Sequence, residues 1–116
     1  MFHFMKLHPG PFSKMKSGEK TIELRLYDEK RRLIQVGDEI EFVNSGDNTQ
    51  TLRVIVKGLY PYDNFEELYK HFTPEEMGYS QENTAVVSAR DMDMYYSQEE
   101  QKKYGVLAIR IERINA

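Results

Sequence analysis

The chain has no cysteine and no tryptophan, only four prolines, and no apolar run near the roughly 18 residues that a membrane-spanning helix needs. Without cysteine, disulfides, thiolate metal sites and cysteine nucleophiles are excluded. With seven glycines beside those four prolines, a collagen-like or low-complexity chain is excluded too. The first ten residues, MFHFMKLHPG, lack the basic start, apolar middle and small-residue cleavage site of a signal peptide. The expectation is a cytoplasmic protein with no membrane partner. At 116 residues, the length suits one domain over 1–116 and is too short for two ordinary ones.

What is present is 40% hydrophobic and 30% charged, the composition of a chain that folds. The net charge of -3 gives no global attraction to nucleic acid, yet the charges are unevenly placed. Residues 13–32 hold seven basic side chains against four acidic ones, and residues 63–82 hold six acidic ones, Asp63 to Glu82, against Lys70 alone. Such asymmetry makes one wall positive on an acidic protein, or else merely distinguishes two solvated faces.

Phe2 to Leu7 reads as a first strand, ended by a turn at His8-Pro9-Gly10-Pro11. Phe12, Met15 and Lys16 sit at helical spacing, and Gly18 closes that helix. Ile22, Leu24 and Leu26 then alternate with Thr21, Glu23 and Arg25, so the apolar set faces a core and the polar set faces elsewhere. Ile40 and Phe42 lie in a third strand, and Thr51 to Leu59 in a fourth, paired as a hairpin. Asp63 to Glu66 carries a helix-start pattern, as do Thr73-Pro74-Glu75-Glu76, Ser88 to Asp91 and Ser97 to Glu100. Short helices therefore fill about 63 to 103, and a closing strand runs from Val106 to Ile114. Strands first and helices later describe an α+β plan: a small β-barrel of about five to six strands. The main helical insertion falls between the fourth strand and the C-terminal one.

The run Gly18-Glu19-Lys20-Thr21-Ile22-Glu23-Leu24-Arg25 carries the strongest chemical pattern. Thr21, Glu23 and Arg25 share a strand face with spacings of about 7 Å, and Lys20 stands where the strand begins. On an open face these are surface ion pairs worth roughly 0–1 kcal/mol. In a cleft, three opposed charges hold an anionic or hydrogen-bonding ligand and shift one another's pKa.

This run resembles the G-x-K-x-x-E-x-R signature of the ASCH domain family. Pro11-Phe12, Met15-Lys16, Gly37-Asp38-Glu39-Ile40-Glu41-Phe42 and Tyr95-Tyr96-Ser97 to Tyr104-Gly105-Val106 resemble its small bacterial members, so the likeness covers nearly the whole chain. It implies a PUA-like barrel whose cleft receives Lys20, Thr21, Glu23 and Arg25, and a partner that is RNA or a small nucleotide-like ligand. Some small members resemble amidohydrolases acting on N4-acetylcytidine through a lysine, a threonine and a glutamate. The lysine falls on Lys20 and the threonine on Glu23, which removes the hydroxyl nucleophile. As an enzyme, the chain would work through Lys20 and Glu23, with Glu23 as a base on water. Adjacent cations weaken a carboxylate as a base, so binding is the favoured reading. A protein-interaction module is a further alternative.

Lys30, Arg31 and Arg32 are candidate phosphate contacts or a solvated loop. Tyr60, Tyr62, Tyr95 and Tyr96 are candidate stacking partners, or rim residues with satisfied hydroxyls. Met92 and Met94 read as helix packing. His3, His8 and His71 are too scattered for a ligand set, and neither a metal nor a cofactor is expected.

Overall fold

In the computed structural model, which describes residues 1–80 and 87–114, one curled sheet holds five strands. They are β1 (Phe2–Leu7), β2 (Ile22–Leu26), β3 (Glu39–Asn44), β4 (Thr51–Tyr62) and β5 (Val106–Arg113), in the spatial order β1-β3-β4-β5-β2. β1 pairs with β3 in parallel and the other pairs are antiparallel. Among the described residues, helices α1 (Pro9–Ser17), α2 (Phe65–Leu68) and α3 (Gln98–Tyr104) join 3₁₀ segments at Arg31–Leu33 and Ala89–Met94. This is an α+β, PUA-like half-barrel with its main insertion between β4 and β5. Glu82 of the acidic run lies outside the described residues.

The concave face is the first core. His3, Met5 and Leu7 of β1 pair with Ile40, Phe42 and Asn44, and these stand beside Val54, Val56, Leu107, Ile109 and Ile111. Helix α1 adds Phe12 and Met15 to that core. It begins at Pro9, where a turn is predicted. The first four amides of a helix have no intrahelical acceptor, so Pro9 and Pro11 lose nothing in its first turn. Gly18, in the left-handed region at φ 89°, ends it.

The apolar face of β2 meets a core, as expected, but not the core inside the barrel. Glu23 pairs with Ile109 and Arg25 with Leu107, so both polar residues stand on the concave face. Ile22, Leu24 and Leu26 stand on the convex face, where Val106, Ala108, Phe65, Leu68 and Met77 close over them as a second core. The alternation is correct, but two cores compete for it: the helical insertion covers the apolar set, and the barrel interior receives the charges. β4 serves both cores because its register shifts between Val56 and Gly58. Past that bulge Leu59 points to the first core and Tyr62 to the second. A Cβ on Gly58 would lie 2.5 Å from the Tyr60 hydroxyl, so only glycine lets that ring fold back over the strand.

The caps of the insertion follow local chemistry with small shifts. Asn64, one residue after the predicted Asp63, accepts from the Glu67 amide at 2.8 Å and starts α2. Thr73 and Glu76 form the reciprocal pair expected of a helix start, the Thr73 amide to Glu76 Oε1 at 2.9 Å and the Glu76 amide to Thr73 Oγ1 at 3.2 Å. Only turns follow, and Gly78 at φ 104° stops them. Ser88 caps the 3₁₀ segment, and Ser97 with Glu100 makes a complete capping box for α3.

β1 and β2 are the two edges, and side chains bridge the seam between them. Arg25 Nη2 donates to the Lys6 carbonyl at 2.7 Å, and Lys30 Nζ donates to the Phe4 carbonyl at 3.3 Å. Farther along, buried Asp38 accepts from His3 Nε2 and from the Gln35 amide, each at 2.9 Å. The His3 hydrogen bond outweighs the effect of burial, so the Asp38 carboxyl is held at about 2. A folded value below the ordinary 3.9 or so adds stability above about pH 4, which is lost as pH falls toward 2. Asp38→Asn is therefore expected to cost about 1–3 kcal/mol at pH 7. In urea titrations at a series of pH values, its deficit against wild type should shrink between pH 4 and 2.

Candidate functional site

The seam opens into a cleft of about 410 Å³. β2 supplies its floor with Glu23, Leu24 and Arg25; one wall comes from Lys6 to His8 and Pro11, the other from the helical insertion. That second wall carries Tyr69, Met77, Gly78 and Tyr79, then Asp91, Met92 and Met94 to Tyr96. Strand alternation points Glu23 and Arg25 inward together, and the turn after Gly18 brings Lys20 beneath them.

Glu23 is the centre of the arrangement, at 4% exposure. Its Oε2 accepts from Arg25 Nε at 2.8 Å and Nη2 at 2.7 Å, and its Oε1 lies 3.3 Å from Lys20 Nζ. Burial pushes the carboxyl up, but the charges and hydrogen bonds of Arg25 and Lys20 outweigh it, leaving Glu23 below the usual carboxylate range. Burial dominates at Lys20 and draws its ammonium down against the attraction of Glu23. Burial also opposes the Arg25 charge, and Glu23 with the Tyr96 hydroxyl more than restores it. The geometry is that of a carboxylate held between the amine of Lys20 and the guanidinium of Arg25.

Lys20 makes no donor available to a ligand. An ammonium has three donors, and beside Glu23 it meets the Ile22 carbonyl at 2.7 Å and the Met77 carbonyl at 3.0 Å. It ties the 73–78 turns to the floor. A Cβ on Gly78 would come within 3.1 Å of the Lys20 stem, so the glycine is required for that approach as well as for its φ.

The remaining predicted residues divide between the cleft and elsewhere. Thr21 lies outside the cleft lining; its amide donates to the Glu76 carbonyl and its own carbonyl accepts from Ile111. The three basic residues at 30–32 also lie away from the cleft and are committed to structure. Lys30 bridges the seam; Arg31 pairs with Asp28 at 2.9 Å; Arg32 donates to the Tyr104 carbonyl and stacks over Tyr27 at 4.1 Å. Tyr95 and Tyr96 line the cleft, with His8 and Tyr95 rings 5.4 Å apart, whereas Tyr60 and Tyr62 pack against Phe72. Met92 packs on the second core, but Met94 is 81% exposed at the cleft rim and not in helix packing. His3 is bound to Asp38 and His71 stacks on Tyr62. Among the described residues no cluster of three or more histidine or carboxylate side chains is placed to hold a metal.

Three cleft residues escape sequence reasoning: Tyr69, Tyr79 and Asp91. The Tyr79 hydroxyl donates to Asp91 Oδ2 at 2.7 Å, and the Tyr69 hydroxyl lies 2.8 Å from that of Tyr79. Burial, reinforced by Tyr69 and Asp91, pushes the Tyr79 phenol far above its usual range, so it stays a donor.

The ASCH domain profile matches residues 5–115, and the chain belongs to that family. A crystal structure of the hypothetical protein PH0355 is 38% identical, covering 98% of this chain and 100% of that one with a TM-score of 0.81. The solution structure of protein PF0455 from Pyrococcus furiosus is 36% identical, with 100% of both chains covered and a TM-score of 0.67. A crystal structure of ZmASCH from Zymomonas mobilis shares the fold at 16% identity, covering 97% of this chain and 72% of that one with a TM-score of 0.66. Among curated proteins none matches the sequence. No helix of the described residues is long and apolar enough to cross a membrane.

Removing the carboxylate leaves two buried cations face to face. Glu23→Ala is expected to lower the unfolding free energy by about 3–5 kcal/mol, and adding Lys20→Met should recover part of that loss. Urea denaturation of the single and double variants checks both.

Proposed function

We propose that the cleft binds a nucleobase-bearing ligand, either a nucleotide of RNA or a small nucleotide-like molecule, with Glu23 and Arg25 reading the edge of the base. The observation that carries this reading is the Glu23 carboxylate, buried and ionised at the floor of an aromatic-walled cleft and already oriented by Arg25 and Lys20. A fixed carboxylate accepts N–H donors of a base, and a guanidinium beside it donates to ring carbonyls and nitrogens. Because the two charges oppose each other, the pair suits a neutral base better than a phosphate. Tyr95, Tyr96 and His8 offer ring faces, and a base–aromatic stack is worth about 1–3 kcal/mol.

Size and charge agree. The cleft, at about 410 Å³, falls in the usual span of small-ligand pockets, and a net charge of -3 disfavours a non-specific grip on long RNA. Lys20 serves by fixing Glu23, and Lys30, Arg31 and Arg32 have no part in the reading. Association with RNA, which the ASCH resemblance implies, is consistent with it.

Amide hydrolysis has less support. Glu23 stands where the resemblance implies a hydroxyl nucleophile, and its two cations hold it below the range in which a carboxylate takes a proton efficiently at neutral pH.

Titration of the protein with adenosine, cytidine, uridine and N4-acetylcytidine, followed by amide chemical shifts, tests the reading. Shifts should concentrate at Glu23, Arg25, Tyr95 and Tyr96, and N4-acetylcytidine should bind without turnover. Tyr95→Ala is expected to weaken binding by about fivefold to a hundredfold. Lys57→Ala, outside the cleft, should leave it unchanged. No shift at millimolar ligand would remove the basis of the reading.

A further inference from the structure

On the wall that the helical insertion supplies, three side chains form a one-way hydrogen-bond chain. Tyr79 has a single hydroxyl hydrogen, and it goes to Asp91 Oδ2 at 2.7 Å. The 2.8 Å contact between the two phenols is therefore donated by Tyr69 to Tyr79. All three residues line the cleft, so their arrangement fixes a carboxylate at its surface. Asp91 Oδ1 takes no hydrogen bond, and the residue makes no ion pair, among the described residues. Here is a second carboxylate in the same cleft, but of a different kind from Glu23. Glu23 lies between two cations; Asp91 accepts from a phenol and, among the described residues, has no cation within ion-pair distance.

A nucleoside has donors of only two kinds, the N–H groups of its base and the hydroxyls of its sugar. A phosphate has no donor at neutral pH and is repelled by an acceptor-only carboxylate. With Glu23 and Arg25 on the base, Asp91 has only the sugar left to bind. We infer that Asp91, held in place by Tyr79 and Tyr69, accepts a hydrogen bond from the ribose hydroxyls of the ligand, and that the cleft thereby selects ribonucleosides over 2′-deoxyribonucleosides. This rests on the nucleobase reading above and extends it to the sugar. Tyr79 is a positioning residue: its hydroxyl occupies Oδ2 and turns Oδ1 toward the ligand.

The test compares affinities for adenosine, cytidine and uridine with those for their 2′-deoxy counterparts, by calorimetry or chemical-shift titration. A hydrogen bond to a charged acceptor sets the expected preference at about tenfold or more for the ribose form. Asp91→Asn should bring that preference close to unity while deoxy binding changes little. Tyr79→Phe, which keeps the charge but frees the carboxylate, should lower it in part. A merely structural role for the chain would alter both sugars equally. Equal affinity for the two sugars in wild type, or a preference that survives Asp91→Asn, overturns the ribose assignment and leaves base recognition standing. Binding of neither sugar overturns both.

Discussion

A carboxylate buried at the meeting of two sheet edges organises this molecule. Glu23 stands on the concave face of β2, and its two cations each hold a different part of the chain. Arg25 reaches the backbone of β1, and Lys20 reaches the backbone of the turn at Met77. One anion thus links the first edge, the last edge and the helical insertion. Each charge is hydrogen-bonded, which is the condition under which buried ions are tolerated. The same condition makes the cleft floor rigid before any ligand arrives.

The barrel interior accepts these charges because the sheet does not close through its backbone. Where β1 and β2 part, Arg25 of β2 reaches across to the Lys6 carbonyl in place of a backbone ladder. The apolar face of β2 is turned outward and needs a cover, which the α2 helix and the turns after it provide. Fold and site therefore share one cause, since one face of β2 joins the second core and the other lines the cleft.

Much of this was legible in the residues. Period-two alternation marks β2 to β5, an apolar run ended by a proline turn marks β1, and the capping patterns at Ser88 and Ser97 mark two of the insertion's elements. Local patterns show that Ile22, Leu24 and Leu26 face a core but not which of two cores they join; it is the one under the helical insertion. At Thr73 the cap formed without a helix, because Gly78 follows after a single turn. Lys20 before β2, and Glu23 and Arg25 within it, were visible because ionisable residues so closely spaced stand out beside leucine and isoleucine. Tyr69, Tyr79 and Asp91 were not, because they come together only when α2, the turns and the 3₁₀ segment fold over one another. The basic run at 30–32 is adjacent in sequence, yet its members point to three different backbone or carboxylate partners, which no local pattern shows.

The side-chain bridges across the seam set how the sheet comes apart. Between β4 and β5 a full ladder must break before the strands separate, whereas β1 and β2 are joined at Lys6 and Phe4 by one guanidinium and one ammonium. Strand edges held by so few bonds separate in local fluctuations well short of global unfolding. The lip of the cleft is therefore the margin of the sheet that parts first, at the cost of two side-chain bonds while the strand ladders keep their pairing.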